Sequence, residues 1–307
     1  MQHLNYPSAD GKATVHAVIW PVEGFPRGVV QIIHGMCEYI ERYAPFAEFL
    51  NANGYIVCGE DHGGHGKTAA SPEDLGYFND ERSLDAVISD IRTLHRRVAE
   101  ENPNLPYFIL GHSMGSFFCR NYIARYGTEL SGAVIMGTGF KGGALLNTAL
   151  AMTRLNALFM GWKHRSGMIN SLAFGSYNKR FKEEKNSHSW LSRDSENITA
   201  YKANGLCNFR FTDNGFYILF SAIKAACSKK VISAVPKNLP VYFVAGKEDP
   251  VGDYGKGVIK AYKKFKESGI ERVNISLYQD ARHEILNDFC KEKVRADLLD
   301  FFNEIVG

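Results

Sequence analysis

A chain of 307 residues can bury a large core, either as one α/β domain carrying an insertion or as two domains. Its 45% hydrophobic and 22% charged residues are ordinary for a globular protein, and a dispersed net charge of +3 argues against a nucleic-acid binder. No stretch has the apolar length that spans a bilayer, and residues 1–11 lack the basic-then-apolar pattern of a secretory signal.

The first third alternates strand and helix. Residues 14–20 and 28–33 read as strands, the second running into His34-Gly35. Residues 43–51 form a short amphipathic helix with Gly54 as a cap, and 55–59 a third apolar strand. Over residues 83–100, Leu84, Val87, Ile88, Ile91, Leu94 and Val98 recur at helical spacing. Pro103 and Pro106 then punctuate the chain before a strand from Tyr107. A helix follows through Phe117, Phe118, Tyr122 and Ile123, and residues 132–136 supply another strand. Near-continuous apolar strands in a β-α-β-α rhythm predict a mostly parallel sheet with helices on both faces. The rhythm breaks over residues 140–235, where no strand is legible and residues 149–162 and 209–226 stand out as apolar, weakly charged stretches. It returns with strands at 241–245 and 273–278 and helices at 258–268 and 294–305. Three segments result: a first core part over 1–139, a helical cap over 140–235 and a second core part over 236–307. An insertion at this point is placed to cover the strand ends, where ligands bind in such sheets.

The strand from Tyr107 ends in Gly111-His112-Ser113-Met114-Gly115, a G-x-S-x-G turn between strand and helix. A tight turn of this kind lifts a serine hydroxyl clear of the backbone, and the glycines let strand and helix crowd around it. A serine nucleophile needs a base, and the base needs an orienting carboxylate. Asp249 lies just past the strand at 241–245, with Asp253 a nearby competitor farther from the strand end. His283 follows the strand at 273–278, flanked by Asp280 and Glu284. His3 and His16 come too early for this role, and His164 and His188 lie in the insertion. The order Ser, Asp, His is that of α/β-hydrolases. An oxyanion site needs backbone N–H donors, each worth about 3 kcal/mol. Met114, opening the nucleophile helix, and Met36, after the strand ending at Ile33, are the candidates.

Two lookalikes fail. Asp61-His62-Gly63-Gly64-His65 lacks further metal ligands at suitable spacing, so no metal is expected there and the segment reads as a structural loop. Gly66-Lys67-Thr68 ends like a phosphate loop, but Asp61 stands where the first glycine is required. Cys37, Cys58, Cys119, Cys207, Cys227 and Cys290 are scattered without a C-x-x-C pair, which suits reduced thiols in a cytoplasmic protein.

With His34-Gly35, the loop 61–66, Gly111-His112-Ser113-Met114-Gly115, Gly246-Lys247-Glu248-Asp249 and His283 in this order, the chain resembles the α/β-hydrolase superfamily. More narrowly it is similar to the monoacylglycerol lipase and lysophospholipase group, which shares a domain type with S33 serine aminopeptidases. Residues 34–43 match that group's H-G-x-x-E-x-x-x-R-Y pattern, and Trp190-Leu191-Ser192-Arg193-Asp194 and residues 206–212 resemble bacterial lysophospholipase-like members. The resemblance implies Ser113 as nucleophile, His283 as base, Asp249 as its orienter, and Met36 and Met114 as oxyanion donors. It also implies that Glu38, Arg42 and His112 line the polar, alcohol-holding end of the pocket. Cys37 stands where a glycine is usual, and Gly137-Thr138-Gly139 where relatives often carry a proline turn. The expected activity is hydrolysis of a small-molecule acyl ester without cofactor, the cap forming a lid and acyl groove able to touch membranes or lipid aggregates. An amidase or aminopeptidase on the same scaffold would need an acidic anchor in the cap, for which Glu183, Glu184 or Glu196 could serve. A non-catalytic ligand-binding member of the fold is a further alternative.

Overall fold

The computed structural model describes residues 1–307. Eight strands form one sheet: β1 (Gln2–Pro7), β2 (Thr14–Trp20), β3 (Gly28–Ile33), β4 (Tyr55–Glu60), β5 (Tyr107–His112), β6 (Gly132–Met136), β7 (Val241–Gly246) and β8 (Val273–Tyr278). Their spatial order is β1-β2-β4-β3-β5-β6-β7-β8. The pairs β1–β2 and β2–β4 are antiparallel, and every pair from β4–β3 onward is parallel.

Strand alternation divides the core. Phe108 and Leu110 of β5 face α1 (Ala44–Ala52) and α10 (Lys291–Val306), whereas Ile109 faces α2 (Leu84–Glu101) and α3 (Met114–Tyr126). Between β6 and β7 the chain forms α4 (Gly143–Met160), α5 (Gly167–Phe174), α6 (Ser195–Ala203), α7 (Asp213–Ala226) and α8 (Lys229–Ala234), and α9 (Lys256–Glu267) joins β7 to β8. Helix α4 buries only Leu146, Ala149, Thr153 and Ala157. It leaves Leu155, Leu158, Phe159 and Met160 exposed, as α5 does Met168 and Leu172. No helix is long and apolar enough to cross a membrane. The fully buried Arg120 of α3 ties the end of α7 to the segment after β6, donating to the carbonyls of Gly139 (2.9 Å) and Ala226 (2.7 Å).

Strand β1 was not expected from the sequence. It is an edge strand, largely exposed apart from Tyr6, and it ends in Pro7, so it carries no run of apolar residues. Tyr6 nevertheless docks it by donating a 2.6 Å hydrogen bond to the carboxylate of Glu60. Burial raises the pKa of Glu60 to about 8. Burial, and then the charge of Glu60, raise that of Asp90 to about 7. A carboxyl group raised on folding holds more protons in the folded chain than in the unfolded one, so stability falls as pH climbs from the unfolded value through the folded one. Glu60→Gln is therefore expected to stabilise the protein by about 1–3 kcal/mol at pH 9 and to give no gain near pH 4. Urea unfolding at the two pH values checks this, and an equal effect at both would count against it.

Candidate active site

Strand β5 delivers Ser113 into a turn so tight that its φ is +53°, in the left-handed region that non-glycine residues avoid. The flanking glycines are required by space. A Cβ on Gly111 would lie 2.4 Å from the Gly115 carbonyl oxygen, and one on Gly115 would lie 2.1 Å from that of Ile33. The Ser113 N–H donates to the Met136 carbonyl at 3.0 Å, pinning the turn to β6. With its backbone fixed in this way, the hydroxyl projects into the main cavity.

Two loops at neighbouring strand ends bring the other groups in. The turns after β7 and β8 are stitched together by Lys247 N–H to the Tyr278 carbonyl and Glu248 N–H to the Ala281 carbonyl, each at 2.9 Å. Gly246 permits this approach, since a Cβ there would sit 2.1 Å from the Ala281 oxygen. Asp249 and His283 thereby meet, with His283 Nδ1 2.9 Å from Asp249 Oδ2 and His283 Nε2 2.8 Å from Ser113 Oγ. The second oxygen of Asp249 accepts from Val251 N–H at 2.8 Å, which fixes the carboxylate plane. Asp253 is exposed and takes no part. Trp190, from the insertion, packs its ring against His283 at 5.2 Å between centroids. The Leu191 carbonyl accepts the Glu284 N–H at 2.7 Å.

Met36 and Met114 both line the cavity beside Ser113. The Met36 N–H makes no hydrogen bond within the protein, and that of Met114 opens α3, where a helix has no acceptor for it. Both amides are thus free to receive a negative oxygen. Gly35 lets the loop come this close, a Cβ there lying 3.1 Å from Ser113 Cβ.

The cavity, about 550 Å³, has a polar end and an apolar flank. Glu38 and His112 stand at the polar end, with Glu284 beside them. Glu38 accepts from Tyr43 (2.8 Å), from Arg42 (2.7 Å) and from the N–H of Gly35. Its oxygen Oε1 lies 3.3 Å from His112 Nδ1. Burial alone would raise the Glu38 pKa, but the His112 hydrogen bond and the Arg42 charge outweigh it and hold the group well below the usual carboxylate range. The same contact raises His112 against its own burial. Arg42 departs from expectation, because it does not reach the cavity wall. Its guanidinium is spent on Glu38 and on a two-pronged pair with Glu284, both contacts 3.0 Å, so it orients carboxylates from behind. On the apolar flank stand Phe117, Phe174, Phe209, Leu219 and Ile223.

Sequence reasoning set Glu284 aside as an acidic neighbour of His283, gave Tyr43 no role within its motif and passed over Asn197; all three complete this polar end, and Asn197 donates to Glu284 at 2.8 Å. Trp190 and Phe209 lie in the two insertion segments that the resemblance singled out, although spacing gave them no role. The loop at 61–66 is tied together structurally. Asp61 accepts from the N–H groups of Ile40 (2.8 Å) and Lys67 (2.9 Å). The ring of His62 is packed against His34 and Phe118, and burial lowers its pKa to about 4. Glu183 and Glu196 are exposed, Glu184 pairs with Arg282, and none of the three lines the cavity.

The model of a family described as serine aminopeptidase, S33, matches residues 24–289. The chain superposes on a thermostable carboxyl esterase from Bacillus coagulans, solved in complex with glycerol, with a TM-score of 0.92. Identity to that esterase is 31%, covering 100% of this chain and 99% of the other. A monoglyceride lipase of Rattus norvegicus is 23% identical over 86% of this chain and 78% of its own. A monoacylglycerol lipase of Mycolicibacterium smegmatis is 38% identical, but the match spans only 39% of this chain and 40% of that lipase.

Proposed function

The chain belongs to the S33 serine aminopeptidase family of α/β-hydrolases and is a serine hydrolase of the esterase and lipase type; from that premise we propose that it cleaves monoacylglycerols, lysophospholipids or similar acyl esters through Ser113, His283 and Asp249. The observation that carries this reading is the continuous chain of contacts from Ser113 Oγ through both ring nitrogens of His283 to Asp249, at 2.8 and 2.9 Å. His283 Nε2 takes the hydroxyl proton as Ser113 Oγ attacks the acyl carbonyl, and the carbonyl oxygen becomes an anion held by the Met36 and Met114 amides. The tetrahedral adduct collapses as His283 returns that proton to the leaving alcohol, which leaves an acyl ester on Ser113. Water, deprotonated by the same imidazole, then attacks this ester and releases the acid. Asp249 keeps Nδ1 protonated throughout and steadies the imidazolium.

The polar end supports an alcohol portion bearing free hydroxyls. Glu38, Glu284 and His112 make that part of the wall polar, while Phe117, Phe174 and Leu219 suit an acyl chain. We take residues 140–235 as the cap, and its exposed row of Leu155, Leu158, Phe159 and Met160 suits contact with lipid aggregates. Peptide cleavage is less well supported, since both cavity carboxylates are already paired with Arg42. The test is a substrate profile spanning p-nitrophenyl esters of graded chain length, monoacylglycerols, lysophosphatidylcholine and amino-acid p-nitroanilides. Monoacylglycerol or lysolipid turnover should exceed p-nitroanilide turnover by about two orders of magnitude or more, the discrimination that buried polar groups matched to one substrate provide. A preference for the anilides would overturn the reading.

A further inference from the structure

On the antiparallel side of the sheet, with β2 three strands away from β5, two histidines and a glutamate converge. His3 of β1 pairs in register with Val18, and His16 of β2 pairs with Asn5, so the two histidines are diagonal neighbours on one face. His3 Nδ1 lies 2.9 Å from His16 Nε2 and 3.9 Å from Glu41 Oε1, and the three ligand atoms lie within 4.8 Å of one another. We propose that His3, His16 and Glu41 form a binding site for a divalent transition-metal ion of the zinc type.

The supporting groups are those of a built site. His16 is buried, and its Nδ1 donates to Asp61 Oδ2 at 2.8 Å, which commits the ring proton to that side and leaves Nε2 as a lone pair aimed at His3. Asp61 is itself held by the N–H groups of Ile40 and Lys67, so the outer carboxylate is fixed before any ion arrives. The His16 backbone is fixed as well, its N–H donating to Thr68 Oγ1 at 2.9 Å. His3 and Glu41 are the more exposed members. They can adjust from the present spacing to the separation of about 3.3 Å between tetrahedral ligands each about 2.0 Å from zinc. Two imidazoles and one carboxylate leave a fourth position open to water on the exposed side. Lys67 Nζ now lies 2.6 Å from Glu41 Oε1 and would have to give way, which makes Glu41 the weakest of the three ligands. A bound ion would join β1 to β2 and to the turn Ile40–Tyr43, so it should stabilise the edge strand without entering the ester-cleaving site.

The experiment is titration of chelator-treated full-length protein with zinc chloride, followed by calorimetry and by thermal unfolding. One equivalent is expected to bind and to raise Tm. His3→Ala should weaken binding by about tenfold or more, and His16→Gln should abolish the Tm response. Cobalt(II) should give the visible absorption of a low-coordinate nitrogen- and oxygen-ligated site in the wild type and not in His3→Ala. His3→Ala alters an exposed side chain and keeps the variant foldable, and none of these readouts depends on ester turnover. Absence of a zinc equivalent would reduce the pair to an imidazole–imidazole hydrogen bond. Binding unchanged in both variants would place the ion elsewhere, and either result overturns the assignment.

Discussion

Ser113→Ala is expected to lower kcat for ester hydrolysis by about six orders of magnitude, as in hydrolases where nucleophile and base act as one unit. The fold should survive. The hydroxyl projects into the cavity, and the turn that carries it is held by the Ser113 N–H to Met136 bond and by the two glycines, all of which alanine leaves in place. What remains in the variant is the anion-stabilising power of the two amides and the binding of substrate, a residual that exceeds uncatalysed hydrolysis by about a thousandfold. Circular dichroism together with p-nitrophenyl ester kinetics checks both halves. Labelling by a fluorophosphonate should vanish in parallel. A folded variant with near wild-type turnover would remove Ser113 from the mechanism altogether.

The second large effect belongs to Asp249. Asp249→Asn keeps the shape of the buried carboxylate but replaces a purely accepting group with one that can donate, so the imidazole can turn its proton toward Ser113. Nε2 then has no lone pair with which to take the hydroxyl proton, and kcat should fall by about four orders of magnitude. Because Val251 N–H can still bond to the amide oxygen, the loop should hold its position. Asp253→Asn is the paired control. That residue is exposed and contacts neither His283 nor Ser113, so its change should leave kcat within about twofold. A comparable loss in both variants would mean that the region tolerates no substitution and that Asp249 carries no special role.

Much of this architecture was legible because the inner strands are buried on both faces. The apolar runs at 28–33, 107–112 and 241–246 cannot be solvated helices, and their ends fall where glycine or a polar loop begins. β1 was illegible because an edge strand needs only one buried ring, that of Tyr6, to hold its place. In the insertion, α5, α6 and α8 did not separate from their loops. Each is short, and each buries only one or two residues, so no periodicity develops.

At the site, chain order and strand ends were enough to choose Ser113, Asp249 and His283, because a parallel sheet delivers successive strand ends to one edge. Arg42 was set in the cavity wall by a motif that carries no information about which way a guanidinium turns once Glu284 is within reach. The His3, His16 and Glu41 cluster was hidden for a related reason. A diagonal across an unrecognised strand pair, closed by a residue of a short turn, has no signature in spacing.

The bridge from Arg42 to Glu38 and Glu284 spans two loops with different duties. Glu38 sits two residues past the Met36 amide, and Glu284 directly follows His283. A single cation therefore fastens the loop after β3 to the loop after β8, and neither can drift without pulling the other. The contacts among Ser113, His283 and Asp249 are thus built into the folded chain, in loops that one guanidinium holds together.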